Sequence, residues 1–119
     1  MARVLIVEDD IDFREHLTML IRSRGHEVEI AVDGEEALLR LHVGEPPSLI
    51  LLDLMMPEMD GWTFRARMLQ DAKLAAIPIA VLSGVGSVGN EAQKLHIDHY
   101  LGKPVDLPAL YRLIERYAG

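Results

Sequence analysis

With 119 residues, 50% of them apolar and 26% charged, the chain has the composition of one globular domain and is too short for two ordinary ones. No apolar run reaches the roughly 18 residues of a membrane span, acidic residues from Glu8 onward interrupt any export signal, and the lack of cysteine excludes disulfides and thiolate metal sites. A net charge of -7 leaves no basic face for nucleic acid, so a cytoplasmic chain with neither membrane nor nucleic acid as a direct partner is expected.

The apolar pattern then alternates between two periods. Val4 to Val7 is a short, fully apolar, β-branched run, the mark of a strand buried on both faces. Phe13, Leu17, Leu20 and Ile21 recur at helical spacing up to Gly25, a natural C-terminal stop. Glu27 to Val32 alternates, with Val28, Ile30 and Val32 on one face, as in a strand near a sheet edge. Asp33-Gly34 opens a helix carrying Ala37, Leu38 and Leu41, closed by Gly44 and Pro46-Pro47. A third strand, Leu49 to Leu52, meets Asp53 at its end, and a helix is expected from about Gly61 to Asp71. A fourth strand over Ile77 to Leu82, a short helical piece near Asn90 to Leu95 and a fifth strand over Asp98 to Leu101 follow. The last helix shows Leu107, Leu110, Tyr111, Ile114 and Tyr117 on one face.

Strands alternating with helices predict an α/β fold, a parallel sheet covered on both sides. Ligands of such sheets sit beyond the carboxyl ends of the strands. There the sequence delivers Glu8-Asp9-Asp10 after the first strand, Asp53 after the third, Ser83 after the fourth and Lys103 after the fifth. Converging carboxylates either take up protons or bind a cation, and an all-oxygen set suits Mg2+ before Zn2+. Lys103 and Ser83 offer a cation and a hydroxyl for the oxygens of a phosphoryl group, and a carboxylate can attack phosphorus to give an aspartyl phosphate. Any one of these residues alone reads as a cap or a turn; all of them at one end of one sheet read as a site.

On Val4-Leu5-Ile6-Val7-Glu8-Asp9-Asp10, Leu51-Leu52-Asp53-Leu54-Met55-Met56-Pro57-Glu58-Met59-Asp60-Gly61, Val81-Leu82-Ser83-Gly84 and Tyr100-Leu101-Gly102-Lys103-Pro104, the chain resembles a response-regulator receiver domain of two-component signalling. The resemblance spans essentially residues 1–119 as one domain. It implies a flavodoxin-like, doubly wound five-stranded parallel sheet in the order 2-1-3-4-5 with five helices. It also implies Asp53 as phospho-acceptor, Asp9 as direct Mg2+ ligand, Glu8 acting through water, and Asp53 and the Met55 carbonyl completing the metal set. Lys103 would bridge to the phosphate through a cis Lys103-Pro104 bond, Ser83 would bind a phosphoryl oxygen, and Tyr100 would be the switch aromatic. Asp10 is expected to cap the first helix. The implied donor is a phosphohistidine on a sensor histidine kinase or a phosphotransfer protein, the implied output a downstream protein target, with a phosphorylation-dependent dimer as a further state. The chain would catalyse only its own phosphorylation and dephosphorylation.

The stretch from Ser83 to Lys103 is shorter than the family usually has, so the fourth helix is expected to be short or displaced and Gly84 to Gly89 mobile. The output face is expected to differ from that of other receivers. Met55 and Val85 beside the phosphoryl group predict slow self-hydrolysis. The five histidines, His16, His26, His42, His96 and His99, lack a metal-ligand spacing and read as surface or cap residues. Trp62 reads as either a core or a partner-facing residue.

Two other functions compete. A Mg2+-dependent phosphatase would usually carry a second acid two residues after the nucleophile, where Met55 stands; a phosphorylation-independent scaffold would show a degenerate pocket. A P-loop is excluded, since no G-x-x-x-x-G-K-[ST] occurs. Either a stand-alone receiver or one cut from a larger protein is expected, the start at Met1 arguing against a C-terminal or internal one.

Overall fold

Successive residues of a strand point to opposite faces, and strands β1 (Arg3–Val7) and β3 (Leu49–Asp53) use that period to build two cores at once. Leu5, Val7, Ile50 and Leu52 enter one core with Ala37, Leu41, Phe64 and Met68. Val4, Ile6, Leu49 and Leu51 enter the other with Leu17, Ile21, Leu110 and Ile114. The computed structural model describes residues 1–53, 60–83, 97 and 99–118. Within it β1 and β3 join β2 (Glu27–Ala31), β4 (Ile79–Ser83) and β5 (His99–Gly102) in one five-stranded parallel sheet, ordered β2-β1-β3-β4-β5. The order reverses at β1 and β3, which places the crevice beyond their carboxyl ends.

Five helices are present among the described residues: α1 (Ile11–Ser23), α2 (Gly34–His42), α3 (Gly61–Met68), α4 (Ala72–Ala75) and α5 (Leu107–Arg116). Each opens on an aspartate, Asp10, Asp33, Asp60, Asp71 or Asp106, whose carboxylate accepts a backbone N–H of the first turn. Gly25 follows the C-terminal cap of α1 at φ 88°, a left-handed conformation that a side chain would strain. The first core packs α2 and α3 on one face of the sheet and the second packs α1 and α5 on the other. No described helix is long and apolar enough to cross a membrane.

Three local expectations are corrected. The helix expected from Gly61 to Asp71 ends at Met68, because Asp71 accepts from the Lys73 N–H at 2.9 Å and starts α4 instead. Pairing of β2 with β1 ends at Val7 and Ala31, and Asp33 then caps α2, so Val32 turns outward, 40% exposed, and leaves the buried face assigned to it. His26 is buried rather than a surface residue. The helical piece near Asn90 to Leu95 and the Gly84 to Gly89 stretch lie outside the described residues.

Candidate functional site: an acidic pocket at the carboxyl ends of the strands

The register builds the pocket. Val7 pairs with Leu52 across β1 and β3, so the next step along both strands sets Glu8 beside Asp53. Both share the parity of Ile6 and Leu51 and therefore face the α1 and α5 side. Glu8 is fully buried and Asp53 5% exposed, while Asp9 stands at the open rim. Carboxylate oxygens of Glu8, Asp9 and Asp53 lie within 4.8 Å of one another, a spacing that one cation can span.

Lys103, just past β5, reaches in from the other side. Its ammonium donates to Glu8 Oε1 at 2.7 Å, lies 3.8 Å from Asp53 Oδ2 and sits 4.4 Å from the centre of the Phe13 ring. The Lys103-Pro104 peptide bond is cis. Asp10 turns out of the cluster and caps α1, accepting from the Phe13 N–H at 3.1 Å. Its own N–H faces Glu8 Oε2 at 3.4 Å.

The electrostatics record unbalanced negative charge. Burial raises the Glu8 carboxyl above its ordinary value, hydrogen bonding to Asp53 adds to the rise, and the bond from Lys103 opposes it. Asp9 is raised by loss of solvent and by its contact with Glu8. For Lys103, burial pulls downward, but the Glu8 hydrogen bond and the charges of Asp53 and Glu8 together outweigh it and hold the ammonium above its usual range. Two of three carboxylates thus ionise less readily than normal, as expected where a cation belongs. The donors are all oxygen, with no described histidine among them, which fits a hard divalent ion.

The family model of the response regulator receiver domain matches residues 4–115. The chain belongs to that family.

Among curated relatives, the DNA-binding dual master transcriptional regulator RpaA of Synechocystis is 36% identical over 109 residues, which are 90% of this chain and 45% of RpaA. A response regulator receiver protein from Pseudomonas putida superposes with a TM-score of 0.88 at 32% identity, covering 97% of this chain and 96% of that one. Chemotaxis protein CheY4 of Vibrio cholerae gives 0.84 at 30% identity, covering 98% of both chains. The receiver spans less than half the length of most of the curated relatives it matches. Neither the phosphatase nor the scaffold reading draws support from these matches.

The structure brings Glu8, Asp9, Asp53 and Lys103 together as the sequence predicted. Strand β4 carries Ser83 to the same end, its backbone paired with Gly102. Tyr100 sits on β5 with its residue 54% exposed. Met55, Val85 and His96 lie outside the described residues. His16 and His42 are exposed, and His99 is half-buried with Nε2 2.7 Å from the Tyr117 hydroxyl. Trp62 is half-buried and packs on the core shared by α2 and α3. Sequence reasoning missed Arg14, a buried residue whose Nη1 donates to the Glu8 carbonyl at 2.9 Å. A signal was present: Arg14 leads Leu17 and Ile21 at the spacing of the buried helical stripe.

Proposed function

We propose that this receiver accepts one phosphoryl group on Asp53, from a phosphohistidine on a sensor kinase or phosphotransfer protein, in a Mg2+-dependent reaction. The observation that carries the reading is the clustering of Glu8, Asp9 and Asp53 with the Lys103 ammonium between Glu8 and Asp53. Asp9, Asp53 and the Met55 carbonyl would hold the ion, with Glu8 acting through water. Bound Mg2+ would neutralise the carboxylates and the transferring phosphoryl oxygens. An Asp53 oxygen attacks phosphorus as the bond to the donor's imidazole nitrogen breaks, giving an aspartyl phosphate and the free histidine. Lys103 would exchange its contacts with Glu8 and Asp53 for a phosphoryl oxygen, and Ser83, on the neighbouring strand, would bind another.

The added charge would shift a pre-existing equilibrium between two conformations, with Tyr100 turning inward as the switch and a downstream protein reading the result. The receiver would turn over no separate substrate, catalysing only the gain and loss of its own phosphoryl group, and would act in the cytoplasm. Intact mass after incubation with acetyl phosphate tests the core of this reading. One phosphoryl adduct, dependent on Mg2+ and absent from Asp53→Ala, is expected; no adduct on the wild-type chain would overturn it.

A further inference from the structure

Arg14 is a buried cation that the phospho-acceptor reading leaves unused. It sits in the first turns of α1, 8% exposed, with Nη1 2.9 Å from the Glu8 carbonyl. Its Nε is buried without a hydrogen-bond partner among the described residues. Burying a guanidinium is expensive, and a single bond to a neutral carbonyl does not offset that expense. An apolar side chain would fill the space under α1 more cheaply, so packing alone does not explain an arginine here.

Its one bond falls on the peptide that aims the acidic pair. The Glu8 N–H donates to Ala31 at 3.1 Å, continuing the β1–β2 pairing one residue past the strand. Arg14 takes the carbonyl of that same residue. With its N–H and carbonyl both held, Glu8 has little freedom in φ and ψ, and the directions of the Glu8 and Asp9 side chains follow. The α1 backbone holds Arg14 in turn: its N–H donates to the Asp10 carbonyl at 2.9 Å, and its carbonyl accepts from the Thr18 hydroxyl at 2.7 Å.

We propose that Arg14 is a positioning residue, holding the Glu8 peptide so that the Glu8 and Asp9 carboxylates are preset to receive a divalent cation. The inference rests on the phospho-acceptor reading and adds a residue that touches neither ion nor phosphoryl group. Groups that orient metal ligands in this way commonly change affinity by about 10–100-fold when removed.

The test is calorimetric Mg2+ binding to the wild type, Arg14→Met and Arg14→Lys, with amide chemical shifts of Glu8 and Asp9 read on the metal-free proteins. Positioning predicts that Arg14→Met binds Mg2+ about tenfold more weakly, with both amides shifted before any metal is added. Saturating Mg2+ should then restore most of the acetyl phosphate reaction rate, and Arg14→Lys, which keeps one donor, should recover part of the affinity. A purely electrostatic influence has the opposite sign, because removing a nearby cation would tighten Mg2+ binding; that outcome overturns the proposal. An unchanged affinity, meaning that Arg14 only fills space, overturns it too. Should Arg14→Met fail to fold, Arg14→Gln takes its place, and wild-type affinity in both the Gln and Lys variants overturns the proposal. A wild-type chain that binds no Mg2+ defeats the underlying reading as well, whereas normal wild-type binding with an unaltered Arg14 variant defeats this inference alone.

Discussion

Lys103 leans on Glu8 rather than on Asp53: its ammonium is 2.7 Å from Glu8 Oε1 and 3.8 Å from Asp53 Oδ2. The lysine acts as an internal counter-ion, and on the proposed reading it would have to loosen from Glu8 to serve a phosphoryl oxygen. Two consequences of opposite sign follow for Lys103→Met. Mg2+ binding should hold or tighten, because a competing cation is gone. Phosphorylation by acetyl phosphate at saturating Mg2+ should slow about a hundredfold, the usual effect of losing one donor to developing charge. An unchanged rate would remove Lys103 from the chemistry.

The raised carboxyls of Glu8 and Asp9 set a pH dependence. Between their ordinary values of 4.5 and 3.8 and the higher values they hold when folded, the native chain binds more protons than the unfolded one. Stability from these groups therefore falls as pH rises through that window. Lys103, also raised, contributes stability that is complete below 10.5 and lost above it, so it does not alter the neutral range. Mg2+ competes with the carboxyl protons. Thermal melts should show Mg2+ raising the melting temperature more at about pH 7.5 than at about pH 5. An equal shift at both would contradict the proposed ion site.

Asp53 is among the causes that raise Glu8, through both hydrogen bonding and charge. Asp53→Asn keeps the shape and removes the charge. The variant should be about 1 kcal/mol more stable than the wild type without metal near neutral pH. It should also lose most of the stabilisation that Mg2+ gives the wild type. Denaturant melts with and without Mg2+ read both effects, and a destabilised Asn variant would show that charge repulsion is not what Asp53 contributes.

The sheet and most of the pocket were legible because they depend on local pattern. The apolar runs Val4–Val7 and Leu49–Leu52 state burial on both faces, and the polar residue ending each strand then falls at the crevice by geometry alone. The break between α3 and α4 was not legible, since Asp71 can sit inside a helix or cap one, and only the packing of Leu74 on the core decides. Arg14 and His26 escaped for a related reason. A buried polar side chain is specified by partners distant in the chain, and no periodicity reports that Ala2 or Glu115 lies beside residue 26.

His26 forms a clasp at the amino end of the sheet, opposite the acidic pocket. Its Nδ1 accepts from the Ala2 N–H at 3.0 Å, which puts the ring proton on Nε2, 3.2 Å from Glu115 Oε1 at the end of α5. The two bonds differ in weight. Ala2 is 1% exposed, so losing its acceptor strands a buried donor, whereas Glu115 is largely in solvent. His26→Leu should therefore destabilise by about 1–3 kcal/mol. Glu115→Gln should change stability by no more than about 0.5 kcal/mol. Neither should alter Mg2+ affinity or phosphorylation at Asp53, since neither residue touches the pocket. Urea unfolding with a lowered midpoint and an unchanged slope, beside unaltered Mg2+ calorimetry, is the expected result. An unchanged midpoint in His26→Leu would mean that the Ala2 N–H finds another partner and that the clasp holds nothing.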